Sequence, residues 1–292
     1  MAYQLGEVLK KIRESKKYTQ KYVSDNHMSR TTYAKIEACT MEPTVGKFMH
    51  ILQKLDISYD ELKYIQNMYS LEGKEEIIHD FFQVSTSVET SKFFKLKKSC
   101  EQYLINHSDS VVDDIRSICI AQLIIQSEND YKKAHIHASK VWERLSKLDD
   151  WYTIELKLIN NIFFFFPLET GISIAQKALK EINKFSFVEK INELKPAYLL
   201  NMALLMINNL QFSEAHHFSE KAIHECDLQK RYDLISVAHA RKGVALINLG
   251  KNSEGIASIK KAIAINKALD QTQMINAILE EVRQKTDISI SF

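Results

Sequence analysis

The sequence predicts an all-α chain in two parts. A five-helix domain covers residues 1–67, a linker covers 68–75, and a right-handed α-solenoid of about five helical hairpins covers 76–292. Three observations carry this. The 292 residues include only 7 Gly and 3 Pro, where average usage would give roughly 35 together. Turns are therefore few, and β-rich folds need many. Apolar residues recur at helical spacing through the first 65 positions. Beyond residue 90, pairs of small or apolar residues seven apart return at intervals of 37 to 44 residues.

In the N-terminal part, Leu5, Val8, Leu9 and Ile12 give the first helix one apolar face. Thr19 is placed to cap a short second helix from Gln20 to about Asn26, with Tyr22 and Val23 expected to face inward. Asn26-His27-Met28 makes the turn, and Ser29 caps a third helix from Arg30 to about Ala38. Tyr33 and Ile36 point to the core, leaving Arg30, Thr31, Thr32 and Lys35 outward. Pro43-Thr44 opens a fourth helix and Ser58 caps a fifth. Net charge over the whole chain is +2, but residues 1–35 alone carry +5. The positive charge thus sits where a polyanion would be met.

LGEVLKKIRESKKYTQ, SRTTYAKIEA and LQKLDISYDEL resemble, in order and spacing, the helix-turn-helix domains of the phage repressor and Xre type. The resemblance implies double-stranded DNA as partner, with the third helix in the major groove. It places Gln20 on the phosphate backbone at a helix N-terminus. Ser29, Arg30, Thr31, Thr32 and Lys35 fall near base edges or flanking phosphates, with Arg30 matched to guanine O6 and N7. Lys10 and Lys11 are expected phosphate contacts. Arg13 and Glu37 are read as an ion pair bracing the third helix. Cys39 stands where many members have Gly, and the turn before the third helix is one residue shorter than in many of them.

In the second part, Leu96/Tyr103, Ala134/Val141, Gly171/Ala178, Ala215/Ala222 and Gly255/Ala262 mark the repeating unit. NNLQFSEAHHFSEKAI and NLGKNSEGIASIKKAI resemble tetratricopeptide repeats, in which small residues let two antiparallel helices approach closely. Stacked units of this kind make a concave binding surface. Asn161, Asn201 and Arg241 are spaced by 40 residues, and Asn208 and Asn248 each follow by seven. These five are expected to form a polar ladder on one wall, where an Asn amide can both donate to and accept from a peptide backbone.

WYTIELKLINNIFFFF (Trp151–Phe166) resembles the central signature of the Rgg/GadR/MutR regulators. That resemblance implies a homodimeric transcription regulator reading a partly palindromic promoter site, controlled by a short peptide pheromone in the concave groove. Such a role amounts to quorum sensing. It maps peptide contacts to Asn161 and Asn201. Phe163 and Phe164 stand where some members carry a basic residue. Phe163–Phe166 reads first as a buried helix end stopped by Pro167; Phe164 is also placed among the peptide contacts, and rings facing the groove would suit an apolar peptide. The competing expectation is a repeat domain that binds a protein partner instead.

No enzyme is expected. His135-x-His137, His216-His217 and His224-x-Cys226 lack metal-site spacing, so no metal is expected. Neither a phosphate loop, a dinucleotide fingerprint nor a nucleophile elbow occurs, and no cofactor is implied. Asp113-Asp114 and Asp149-Asp150 read as helix-end or solvated pairs. Cys39, Cys100, Cys119 and Cys226 form no framework, no leader is visible, and no apolar run is long enough for a membrane. A cytoplasmic protein with reduced thiols is expected. The tail TDISISF could be disordered or could fold back.

Overall fold

The computed structural model describes residues 3–84, 90–185 and 187–286. The tail from Asp287 lies outside the described residues. Among these residues all regular structure is helical, and no helix is long and apolar enough to cross a membrane. The chain divides into two compact units, Met1–Glu76 and Ile77–Phe292.

The first unit contains α1 (Leu5–Ser15), α2 (Gln20–Ser24), α3 (Arg30–Glu37), α4 (Val45–Lys54) and α5 (Tyr59–Gln66). Its core is formed by Val8, Leu9, Ile12, Val23, Met28, Tyr33, Ile36, Ile51, Leu52, Leu55 and Leu62. The helix starts follow the local chemistry. Thr19 Oγ1 accepts from the Tyr22 amide at 3.1 Å, Ser29 Oγ from Thr32 at 3.0 Å and Ser58 Oγ from Glu61 at 3.1 Å. Tyr22 departs from the expectation. It is 47% exposed, because α2 ends at Ser24 and a single short turn buries only Val23 and Ser24. Its ring packs instead on Tyr18 at 4.7 Å, under the Lys54 ammonium at 5.4 Å.

The end of α3 shows how the chain manages without glycine. Cys39 takes φ +57, and the Thr40 and Cys39 amides donate to Lys35 and Ile36 carbonyls at 3.0 Å each. This closes the helix with both bonds of a Schellman turn. Close approach is demanded elsewhere. A Cβ on Gly6 would lie 2.1 Å from the Ile36 carbonyl oxygen, so α1 lies directly on the last turn of α3.

α6 (Lys74–Gln83) follows Gly73, which has φ +60. Then come α7 (Thr90–Asn106), α8 (Ser110–Glu128), α9 (Tyr131–Leu145), α10 (Thr153–Asn160), the 3-10 turn η1 (Phe163–Phe165), α11 (Leu168–Lys184), α12 (Glu189–Asn192), α13 (Lys195–Asn208), α14 (Phe212–Leu228), α15 (Tyr232–Asn248), α16 (Asn252–Ala268) and α17 (Thr272–Lys285). Consecutive long helices pack as hairpins. α8, α10, α13, α15 and α17 form one row of neighbours.

The repeating small residues lie on the second helix of each hairpin. Ala134, Val141, Ala178, Ala215, Ala222 and Ala262 are all fully buried. A Cβ on Gly243 would meet the Gly255 carbonyl oxygen at 2.7 Å, and one on Gly255 would meet that of Gly243 at 2.8 Å. α15 and α16 therefore touch backbone to backbone, which explains the small-residue period in steric terms.

Asp114 corrects a further expectation. It is buried, not solvated, and accepts from Arg144 Nε at 2.7 Å. Burial outweighs that partner and pushes its carboxyl up to about 6. His239 is 7% exposed, and burial, with Lys261 and Lys242 nearby, lowers its imidazole from 6.5 to about 4. The two groups have opposite consequences. Neutral His239 contributes stability that is present above its unfolded value of 6.5 and is lost as pH falls toward 4. Asp114 binds its proton more readily when folded, so it favours the fold as pH falls through 6. His239→Gln removes the first effect alone. Urea unfolding at pH 7 and pH 5 is expected to show wild type losing about 1–2 kcal/mol more than His239→Gln over that interval; equal losses would contradict the assignment.

Candidate functional site

In the first unit, α3 presents Arg30, Thr31 and Lys35 to solvent, and Lys10 and Lys11 are exposed on α1. Ser29 and Thr32 are engaged with each other: their hydroxyl oxygens lie 2.9 Å apart within the helix cap. Glu37, the last residue of α3, faces inward and is only 5% exposed. Arg13 Nε donates to Glu37 Oε1 at 2.5 Å and Arg13 Nη2 to Oε2 at 3.0 Å, while Nη1 donates to the Tyr18 carbonyl at 2.9 Å. Gln20 Nε2 also donates to Glu37 Oε2, at 2.8 Å. Burial alone would raise the Glu37 carboxyl, but the bonds from Arg13 and Gln20 hold it below its ordinary value.

A carboxylate can only accept, so Gln20 must turn its NH2 inward and its oxygen outward. That oxygen receives Arg30 Nε at 3.5 Å. The sequence reading placed Gln20 against phosphate. The structure brings it between Glu37 and Arg30, where it helps orient the first side chain of α3. The bonds run from Arg13 through Glu37 and Gln20 to Arg30, linking the core to the outward face.

In the second unit the chemistry converges on α10. This helix is only eight residues long, and every helix leaves its last four carbonyls without intrahelical donors. Here each finds one. The Asn161 and Ile162 amides close on Leu158 and Ile159 at 3.0 Å. Asn161 Nδ2 donates to the Lys157 carbonyl at 2.8 Å, and Asn201 Nδ2, from α13, donates to the Asn160 carbonyl at 3.0 Å. Tyr198 Oη, also on α13, donates to Leu156 at 2.6 Å.

The start of α10 is held as well. Trp151 is fully buried, donates to the Leu145 carbonyl at 3.1 Å and carries the Lys177 ammonium 4.1 Å from a ring centroid. Lys157, 9% exposed, donates to the Val84 carbonyl at 3.3 Å and lies over Phe81 and Phe82.

The other ladder residues follow one pattern. Arg241 Nη1 donates to the Leu200 carbonyl at 2.8 Å, and its Nε to Glu281 Oε1 at 3.3 Å. Asn248 Nδ2 donates to the Lys285 carbonyl at 3.0 Å. Asn161, Asn201, Arg241 and Asn248 thus spend donors on helix carbonyls, and the last three cross to a neighbouring helix of the row. Asn208 differs: its Oδ1 is sealed from solvent with no partner among the described residues. Phe163 is fully buried, stacked on Tyr198 at 5.6 Å, while Phe164 is half-buried, 4.5 Å from Phe165.

Sequence reasoning missed Tyr198, Lys157 and Gln122, whose amide reaches the Asn161 carbonyl at 3.5 Å. Tyr198 and Lys157 sit inside apolar runs and look like core or surface residues. Only the 42-residue separation of Tyr198 from Leu156, close to the repeat length, could have drawn attention to it.

The description of the C-terminal domain of the HTH-type transcriptional regulator Rgg matches residues 96–280. A comparison with curated protein sequences finds no match. Among solved structures, a protein of Listeria monocytogenes EGD-e assigned as a transcriptional regulator aligns over 99% of this chain and 100% of its own, at 20% identity and TM-score 0.76. Bacillus thuringiensis PlcR, solved with the peptide PapR7 and DNA, aligns over 95% and 99%, at 19% identity and TM-score 0.69. The Streptococcus dysgalactiae SHP pheromone receptor Rgg2 aligns over 97% and 100%, at 18% identity and TM-score 0.66. At these identities the structures establish the shared all-helical fold. The domain description covers more than half of the sequence, and the chain belongs to the Rgg family of HTH-type transcriptional regulators.

Proposed function

We propose that this regulator binds promoter DNA through α3 and is controlled by a short apolar peptide held along the row α8–α10–α13–α15–α17. The observation that carries the DNA half is the outward Arg30, oriented by Gln20 above the buried Arg13–Glu37 pair. A guanidinium held in one direction can form the bidentate bond that a guanine edge offers. Ser29, Thr31, Thr32 and Lys35 flank it, and Lys10 and Lys11 supply sequence-independent attraction to phosphate. A homodimer on a partly palindromic site, acting in the cytoplasm and without catalysis or cofactor, completes the reading. Two heads would multiply the modest affinity of one.

The peptide half rests on the polar row and on the relatives. PlcR was solved with a peptide and DNA together, and Rgg2 is described as a pheromone receptor. Asn161, Asn201, Asn208, Arg241 and Asn248 supply amide and guanidinium groups to a peptide main chain. Phe164 offers a half-buried apolar ring. A ligand biases the DNA-binding state only through unequal affinity for the two arrangements of the protein.

Two outcomes follow. Arg30→Ala is expected to lose about 1–3 kcal/mol on the target promoter and to relax base preference at one position. Lys10→Ala is expected to weaken all sequences alike and to flatten the salt dependence. Fluorescence anisotropy on the promoter and on scrambled DNA at several salt concentrations separates them, and unchanged binding by Arg30→Ala contradicts the assignment. For the peptide, isothermal titration with peptides encoded near the regulated promoters is expected to show binding by wild type and a loss of at least roughly tenfold in Asn161→Ala and Asn201→Ala. Equal affinity in all three removes those two residues from the site.

A further inference from the structure

Of the chain's 10 histidines, only His27 and His50 fall within the first unit, and their rings touch. His27, in the turn before α3, stacks on His50 of α4 with centroids 3.9 Å apart and planes 20° from parallel. The turn where they meet is strained. Asp25, which ends α2, has φ +40 and ψ −138, a backbone region open to glycine and sparsely used by other residues. α2 is only five residues long, so its last carbonyls lack helical donors.

Three contacts from α4 hold this segment. His50 Nε2 lies 3.0 Å from the Val23 carbonyl. A carbonyl only accepts, so Nε2 carries the proton and donates, which leaves Nδ1 bare. Lys54 pairs with the Asp25 carboxylate at 2.7 Å. The ring stack is the third contact. Directly after the stacked His27, Met28 enters the core and Ser29 caps α3. The pose of the turn therefore sets where α3 and Arg30 begin.

Two of the three contacts depend on an imidazole, the side chain that ordinarily changes charge between pH 5 and 8. His50 is buried, so a proton added at Nδ1 places a poorly hydrated cation against His27. The charged and titratable groups acting on its ring are His27 from the turn, Asp25 from the end of α2 and Lys54 from α4 itself. Burial, then His27 and Lys54, outweigh the Val23 carbonyl and Asp25 and hold the imidazole below its ordinary value. Neutral His50 thus contributes stability that is present above its unfolded value of 6.5 and is lost as pH falls through the lowered folded value.

We propose that His50 is a positioning residue for α3: with His27 and Lys54 it clamps the strained turn in the arrangement that reads DNA, and the clamp opens as the stacked imidazoles take up protons. This rests on the reading of α3 as the DNA helix given above. Acidification then weakens sequence-specific binding through the first unit itself. That direction opposes the ordinary electrostatic trend, in which added positive charge strengthens attraction to phosphate.

The test uses the full-length protein. The probe is a DNA duplex that wild type selects from a random-sequence pool at pH 7.5, with affinity read by fluorescence anisotropy at pH 7.5 and 5.5. Wild type is expected to lose at least ~5-fold on acidification. His50→Gln keeps an N–H for the Val23 carbonyl and does not titrate; it is expected to bind within ~3-fold of wild type at pH 7.5 and to lose less than ~2-fold at pH 5.5. His50→Leu removes the donor and is expected to bind at least ~5-fold more weakly than wild type already at pH 7.5. The eight histidines outside the first unit are common to all three proteins, so their titration cancels in the comparison. Amide exchange in wild type, corrected for the intrinsic rate, is expected to accelerate at pH 5.5 in the turn and α3 but not in α1 or α5. Three results overturn the inference: the same acid loss in His50→Gln as in wild type, wild-type affinity in His50→Leu at pH 7.5, or acid-accelerated exchange across α1 and α5 together with α3. Selection of no duplex by wild type contradicts the DNA reading itself, and this inference with it.

Discussion

The early end of α10 is the constraint on which the second unit depends. An eight-residue helix buried in a stack of longer ones exposes carbonyls to an apolar interior, and an unmet buried carbonyl costs on the order of 1–3 kcal/mol. The chain meets this with Asn161 from the helix's own end and Asn201 from the next repeat. Tyr198 adds a bond one turn earlier and fills the gap beneath with a ring stacked on Phe163. Cross-repeat bonds recur where Arg241 reaches back to the Leu200 carbonyl within α13 and Asn248 reaches on to that of Lys285 at the end of α17. Cross-repeat bonds to helix carbonyls thus join neighbours that small residues alone would leave free to slide. The residues that a groove ligand would engage are the ones holding the row together. Exchange of a protein carbonyl for a ligand group at Asn161 or Asn201 is a physical route from binding to helix position, with Lys157 on the same helix tied to the carbonyl end of α6.

The first unit uses one buried carboxylate in a comparable way. Glu37 receives Arg13 and Gln20 together, and this fixes which atom Gln20 shows to Arg30. Arg13 and Glu37 are a partly buried pair, and such pairs add little net stability while making the loss of either partner expensive. Their contribution is orientation: α3 is held against α1 at a distance that Gly6 permits and no larger residue would.

Much of this was legible in the sequence. Helix starts were readable because Thr19, Ser29 and Ser58 cap by local chemistry. The repeat was readable because Ala134, Ala178, Ala215, Gly255 and Ala262 fill one steric role. The candidate ladder was readable as spacing, since Asn161, Asn201 and Arg241 do lie on successive helices of the row. Their partners were not, because a bond from Asn201 to the Asn160 carbonyl depends on where α10 stops. Asp114 and Tyr22 were misread for a related reason. Burial of a charged group depends on its cross-helix partner, here Arg144, and exposure of an aromatic depends on how many turns its helix completes.

Amide hydrogen exchange across α10 tests the central claim most directly, comparing wild type with Asn201→Leu. If Asn201 caps α10, exchange of the α10 amides should accelerate roughly 10–100-fold in the variant, with the amides of α1 to α5 unchanged. Exchange in α10 that is the same in both proteins would show that the helix end is held by packing alone, and would contradict the account.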